Sequence, residues 1–179
     1  MSESLFLNPA RVLAAAQVHE GMHIADFGAG SGFFTRAAAR LVGSGEVWAV
    51  DVHQDMLPRI KNLSLAEGLH TVEVVRGDIE REGGSNLPPA SFDAVIVSNV
   101  LFMAHHKERI AREVKRVLKK HGRAIVVDWA GSFGGLGPHP DMIVSERSAQ
   151  KLFEEAGFGD VQQLPAGSYH WGFVVRKKS

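Results

Sequence analysis

The 179-residue chain contains no cysteine, and this absence excludes disulfide bonds, thiolate metal sites and a cysteine nucleophile. Its formal net charge is zero, so no overall electrostatic field would attract nucleic acid or an anionic membrane. No apolar run approaches the ~20 residues of a membrane-spanning helix. Residues 1–4 show no basic region leading into a long apolar core, so no signal peptide is expected. A cytoplasmic protein is therefore expected, with neither a membrane nor a nucleic acid as its partner.

Length and composition predict a single domain over residues 1–179, with 45% apolar and 22% charged residues. Apolar periodicity and turn residues predict strands alternating with helices. The expected helices cover 9–18, 33–41, 55–67, 106–120 and 145–156, and the expected strands cover 23–27, 46–50, 71–75, 92–97, 123–128, 160–164 and 169–176. The charges on the fourth helix are interpreted as a solvated face, with Glu108–Arg112 and Arg109–Glu113 as i,i+4 ion pairs.

The most informative segment is the first predicted strand and the turn that follows it. Residues 23–27 lead into Gly28, Gly30 and Gly32, and Asp51 closes the next strand about twenty residues later. Glycines let the backbone approach a ligand closely, and a carboxylate can accept hydrogen bonds from a ribose diol. The arrangement is typical of a nucleoside-binding half-site.

The glycine spacing argues against two common nucleotide sites. In a G-x-G-x-x-G dinucleotide motif the last glycine would stand where this chain has Phe33. A nicotinamide-dependent oxidoreductase is therefore disfavoured. No G-x-x-x-x-G-K-[ST] sequence is present, which also disfavours a P-loop.

The pattern Asp26-x-Gly28-x-Gly30-x-Gly32 instead resembles the first motif of class I S-adenosylmethionine-dependent methyltransferases. The resemblance extends over nearly the whole chain, through the segments at 76–79, 98–101 and 119–123, and is nearest to the small-molecule, ubiquinone/menaquinone-type branch. It implies a doubly wound α/β fold, the Rossmann-like methyltransferase fold. That fold has a mostly parallel seven-stranded sheet, whose antiparallel last strand enters between strands five and six.

The resemblance also implies S-adenosyl-L-methionine as cofactor. Asp51 would bind the ribose and Asp78 the adenine amino group, while Met56 and Ile79 would enclose the purine; plain core packing is an equally good interpretation of these two apolar side chains. The residues expected to bind the cofactor are Asp26, Gly28, Ala29, Gly30, Gly32, Phe33, Asp51, Val52, Met56, Gly77, Asp78, Ile79, Ser98 and Asn99.

Methyl transfer requires positioning above all, and a base only when the acceptor must lose a proton. The candidate bases are His105, His106, Asp128 and His139, although each histidine alone is more typical of a protein surface. The nine histidines show no metal-ligand spacing, so no metal site is expected.

A small organic acceptor is expected, because Phe6, Phe102, Met103, Trp129 and Phe133 could form an apolar pocket. Residues 1–11 and 131–143 are expected to cover it. A homodimer is a further expectation. The alternative function is a catalytically silent cofactor-binding regulator or scaffold with the same fold.

Overall fold

The computed structural model describes residues 5–179, and the expectations for residues 1–4 lie outside that range. One seven-stranded sheet organises the fold, with strand order β3-β2-β1-β4-β5-β7-β6. The strands are β1 (His23–Phe27), β2 (Glu46–Asp51), β3 (Val72–Arg76), β4 (Phe92–Ser98), β5 (Leu118–Trp129), β6 (Phe158–Gln163) and β7 (His170–Lys177). The helices are α1 (Pro9–Ala15), α2 (Phe33–Val42), α3 (Met56–Ala66), α4 (Lys107–Val117) and α5 (Glu146–Glu155).

The predicted sheet topology is confirmed. Strands β1 to β5 pair in parallel, whereas β7 runs antiparallel between β5 and β6. The carboxyl ends of the parallel strands therefore meet at one edge of the sheet, which is where open α/β folds bind ligands.

Both faces of the sheet are covered, which explains why its central strands are continuously apolar. On one face α4 and α5 bury Ile110, Val114 and Phe153. On the other face α1, α2 and α3 bury residues such as Leu13 and Ile60. Among residues 5–179, no helix has the length and apolar character needed to cross a membrane.

The predicted helix over 106–120 is wrong at its carboxyl end. The helix stops at Val117, and Leu118 begins β5 by pairing with Phe92 of β4. Leu118 is fully buried, so its pairing in the sheet overrides the helical preference of the lysines that follow. His121 then adopts a left-handed φ of 61° beside a register shift between the two strands.

The first predicted helix, over 9–18, is also too long. It ends at Ala15, and Gln17 has a left-handed φ of 60° that cannot continue a right-handed helix.

The two predicted ion pairs on α4 do not form among the described residues. Glu113 is buried and turns toward the loop between β3 and β4, where it accepts hydrogen bonds from the Gly83 amide at 2.9 Å and the Ser85 amide at 3.2 Å. The Ser85 hydroxyl donates to it at 2.5 Å, and the Arg116 Nη2 at 2.6 Å. Glu113 therefore fastens this loop to α4.

Burial alone would raise the pKa of Glu113, but the hydrogen bonds from Arg116, Ser85 and Gly83 outweigh it and hold the pKa below its usual range. A carboxylate whose pKa is lowered by folding stabilises the fold above its unfolded pKa. That contribution is lost as the pH falls through the folded value.

Replacing Glu113 by Gln should lower the free energy of unfolding by about 2 kcal/mol at pH 7, because a charged acceptor of several buried donors is lost. Denaturant unfolding measures the change, and the deficit should shrink as the pH falls below about 4. Glu155→Gln is the control, since Glu155 is exposed and forms only a 3.8 Å ion pair with Lys151. Equal effects of the two substitutions would contradict the role given to Glu113.

Candidate functional site

A cavity of about 500 Å³ lies at the carboxyl edge of the sheet. Twelve of the residues expected from the sequence line it: Asp26, Gly28, Ala29, Gly30, Phe33, Asp51, Val52, Gly77, Asp78, Ile79, Ser98 and Asn99. The structure thus brings together the turns that follow β1, β2, β3 and β4. Of the other candidates, Gly32, Met56, His105, His106 and Asp128 are not among the described residues that line it.

The glycine turn between β1 and α2 opens its backbone toward the cavity. Gly30 has φ +55°, and a Cβ built there would have only the Gly28 carbonyl oxygen nearby, at 3.9 Å. Gly28 is more constrained, because its Cβ would lie 2.6 Å from Val100. Gly32 packs toward Ile60 of α3, which explains why it supports the turn from outside the cavity.

Asp51 joins the glycine turn to the end of β2. Its Oδ2 accepts a hydrogen bond from the Gly30 amide at 2.8 Å, and its Oδ1 accepts one from the His53 amide at 2.9 Å. Each carboxylate oxygen has a second lone pair, so Asp51 can hold the turn and still accept from a ligand hydroxyl. His53 also lines the cavity, and sequence reasoning gave it no role.

Asp26 places a second carboxyl group in the same cavity. Burial raises the pKa of Asp26 to about 6, while the Thr35 hydroxyl, which donates to its Oδ2 at 2.6 Å, acts in the opposite direction. Proximity to Asp51 adds to the rise. At neutral pH the two carboxylates together favour a ligand that carries positive charge.

The loop after β3 forms another wall. The Asp78 amide donates to the Gly84 carbonyl at 2.7 Å, and the Asp78 side chain accepts from the Glu80 amide at 3.0 Å. Ile79 is buried and lines the cavity together with the exposed Val52. These two side chains give this wall of the cavity an apolar surface.

Asn99 carries an unsatisfied polar atom beside the cavity. It follows β4 in a left-handed conformation with φ 53°, and its backbone amide donates to the Val127 carbonyl at 2.9 Å. Its Oδ1 is buried and has no hydrogen-bond partner among the described residues. Buried acceptors without a partner are costly, so this oxygen is suited to accept from a bound molecule.

Asp128, one of the candidate bases, is not among the described residues that line the cavity. It is buried, with Oδ2 accepting from the amides of Leu101 and Phe102 at 2.9 and 3.3 Å. Its Oδ1 accepts from the Trp129 amide at 2.8 Å. Burial raises the pKa of Asp128 to about 6 even though these amides oppose the rise. Asp128 therefore fixes the 3-10 turn after β4, and that turn carries Met103 into the cavity.

The three histidine candidates are exposed and stand away from the cavity lining. The His106 amide donates to Glu80 at 2.6 Å, and His139 pairs with Asp141 at 3.3 Å. Their position after β4 or in the glycine-rich loop gave no information on side-chain direction. The geometry therefore offers no support for His105, His106 or His139 as a base.

A fourth histidine, His170, lies at the same edge of the sheet. Burial lowers the pKa of His170 to about 4, and its ring centroid is 4.3 Å from that of Trp129. Both ring nitrogens lack a partner among the described residues. It lines a separate cavity of about 260 Å³, and nothing in the sequence distinguished it.

Part of the large cavity has apolar walls, which Leu7, Phe33, Met103 and Ile110 contribute. Of the five side chains expected to form an apolar pocket, only Met103 lines it among the described residues. Phe6 and Phe133 pack on Tyr169 instead, with ring centroids 5.7 and 5.0 Å away. This aromatic cluster joins the amino-terminal segment to the glycine-rich loop.

The cavity lies at the carboxyl ends of the parallel strands, and its glycine turn is held by the Asp51 carboxylate. This arrangement is typical of the cofactor site in a Rossmann-like methyltransferase fold. The family model described as a methyltransferase domain matches residues 25–126. The chain belongs to this methyltransferase family.

Curated relatives and a solved structure agree with this family. The chain is 33% identical over 133 residues to a ubiquinone/menaquinone biosynthesis C-methyltransferase UbiE of Bordetella avium, covering 74% of this chain and 50% of that protein. It is 34% identical over 122 residues to the protein of that name from Burkholderia vietnamiensis, covering 68% and 49%. The chain thus spans about half the length of these relatives.

A crystal structure of an S-adenosylmethionine-dependent methyltransferase from Aquifex aeolicus has a TM-score of 0.84 and 27% identity. The alignment covers 96% of this chain and 90% of that one.

Replacing Asp128 by Asn should lower the free energy of unfolding by about 1–3 kcal/mol, because one oxygen that accepts backbone amides becomes an NH₂ donor. Thermal unfolding and amide hydrogen exchange at residues 101–103 measure the effect. Asp141→Asn is the control, since Asp141 is highly exposed. An Asp128→Asn variant as stable as wild type would contradict the structural role.

Proposed function

We propose that this chain transfers a methyl group from S-adenosyl-L-methionine to a small organic acceptor. The observation that carries the proposal is the Asp51 carboxylate, which holds the glycine turn at the cavity and keeps free lone pairs there. Membership of the methyltransferase family supports the same conclusion.

The residues present fit this cofactor. Gly30 leaves open space where a side chain would stand, which suits a ligand that approaches the backbone closely. Asp51 would accept from the ribose diol, and Asp78 from the adenine amino group. Val52 and Ile79 would contact the purine. The unpaired Asn99 Oδ1 and the Asp26 carboxylate would face the positively charged end of the cofactor.

The cofactor supplies an electrophilic methyl group on a positive sulfur. The protein supplies alignment, since holding two reactants in line can contribute about 7–11 kcal/mol toward the barrier. The turn fixed by Asp128 places Met103 against the cavity and limits where an acceptor can lie. With the three histidine candidates outside the lining, positioning is the main catalytic contribution that we propose.

The proposed acceptor is a small, largely apolar molecule. Leu7, Phe33, Met103 and Ile110 give the cavity an apolar portion, and Phe33 and Met103 are more than half exposed before a ligand binds. The C-methyltransferase relatives support an aromatic acceptor methylated at carbon, such as a reduced quinone. The other attributes that we propose are one domain, a cytoplasmic location, a homodimer and no nucleic-acid partner.

Binding of the cofactor is tested by calorimetric titration of S-adenosyl-L-methionine into wild type and the Asp51→Asn variant. We expect affinity to fall by about 10- to 100-fold, because charge-assisted hydrogen bonds to the ribose and the Gly30 amide are lost. Asp55→Asn is the matched control, since Asp55 is exposed nearby and its side chain makes no capping hydrogen bond. Unchanged affinity in the Asp51 variant would contradict the assignment of this carboxylate.

Turnover is tested with methyl-labelled cofactor and a panel of reduced quinones and phenols. We expect at least one acceptor to gain a single methyl group, detected by mass spectrometry. Transfer should fall in Met103→Ala while cofactor affinity stays close to wild type, because Met103 is assigned to the acceptor side. Tight cofactor binding without transfer to any acceptor would support the regulator or scaffold instead.

A further inference from the structure

A third cavity, of about 490 Å³, lies outside the methyltransferase site, between α4 and the loop after β3. The described residues that line it are Arg81, Glu82, Arg109, Arg112, Glu113 and Arg116. We call this group the arginine cavity. Four of the chain's twelve arginines thus surround one space in a protein of zero net charge.

Both carboxylate oxygens of Glu113 already accept hydrogen bonds within the protein. Its oxygens accept from the Gly83 and Ser85 amides and from Arg116. Arg116 in turn donates through Nη2 to the Leu87 carbonyl at 2.8 Å, and its hydrogen bond with Glu113 raises the pKa of its guanidinium. The Glu113–Arg116 pair is therefore a structural element at the floor of the arginine cavity.

The other three arginines have few partners. Arg81 and Arg112 form no ion pair or side-chain hydrogen bond within the described residues, and Arg109 has only a 3.9 Å approach to Glu108. Glu108 is half exposed and is shared with His106 at 3.8 Å. Glu82 is exposed and is the one further carboxylate among the described lining residues. Arg109, Arg112 and Arg116 stand at i,i+3 and i,i+4 on α4, where like charges repel, so a further anion bound between them would relieve repulsion.

The geometry points to a site for a phosphate-bearing anion in the arginine cavity, held by Arg81, Arg109 and Arg112. A guanidinium group can donate two parallel hydrogen bonds to phosphate oxygens. Three exposed arginines line this cavity, one from the loop after β3 and two from α4. The cavity has room for more than one phosphate group. The ligand is either a soluble phosphate compound or the headgroup of an anionic phospholipid.

A compact ligand is favoured over nucleic acid. Glu80, Glu82 and Glu108 flank the arginines, so the positive surface is local and does not continue as a track along the protein. Nucleic-acid interfaces instead extend over many phosphates.

The test measures binding of sodium pyrophosphate by calorimetry and of phosphatidylglycerol-containing vesicles by co-sedimentation. Saturable binding of pyrophosphate identifies a soluble source, and binding of the vesicles alone identifies a lipid headgroup; both support the site. We expect the double variant Arg109→Gln, Arg112→Gln to bind at least about tenfold more weakly, since charge-assisted hydrogen bonds are lost. The single variant Arg81→Gln should weaken binding as well.

The control removes the same charge elsewhere, with Arg59→Gln and Arg147→Gln on the exposed surfaces of α3 and α5. The inference would be overturned if the control variant lost as much binding as the Arg109, Arg112 variant. It would also be overturned if neither probe bound saturably, or if an oligonucleotide bound and neither probe did. Affinity for S-adenosyl-L-methionine should be the same in all variants, so the result is separate from that of the methyltransferase proposal.

Discussion

Buried carboxylates hold the backbone of the loops that leave the parallel strands. Residues that follow a strand have no neighbouring strand to accept from their amides, and those amides need another acceptor where they are buried. Asp51 accepts hydrogen bonds from the amides of Gly30 and His53. Asp128 accepts from amides of the turn after β4, and Glu113 accepts from amides of the loop after β3. The shape of the ligand-binding edge depends on these three side chains.

Two of these carboxylates, Glu113 and Asp128, differ in what offsets the cost of their burial. Glu113 has Arg116 beside it, and this cation together with the surrounding donors keeps its pKa low. Asp128 receives only backbone amides, which do not offset desolvation, and its pKa rises to about 6. A charged partner therefore helps to keep such an anchor ionised under mildly acidic conditions. The β3–β4 loop should keep its anchor at a pH where the turn after β4 has begun to lose its own.

The strands and the glycine turn could be predicted because their signals are local. Continuous apolar runs marked the strands, and Asp26, Gly28, Gly30 and Asp51 follow a spacing that a nucleoside site requires. The topology required the family resemblance as well, because no local pattern says that β7 enters beside β5.

Side-chain direction and charge partners could not be predicted in the same way. Helical periodicity predicted an ion pair between Glu113 and Arg109. In the structure Glu113 is buried against Ser85, which is distant in sequence, and its ion pair is with Arg116. Asp128 was a candidate base, yet its carboxylate accepts from backbone amides of the loop after β4. The orphaned oxygen of Asn99 and the buried ring of His170 depend on the whole packing arrangement.

The position of β7 also constrains how the chain can fold as it is synthesised. Residues 170–177 form β7, which separates β5 from β6. Neither β5 nor β6 can form its pairing with β7 until these residues have been synthesised. Until then the apolar edge of β5 over 124–127 is open, and an open apolar edge invites pairing with other chains. Pairing of residues 170–177 with both neighbouring strands is thus the step that closes this side of the sheet.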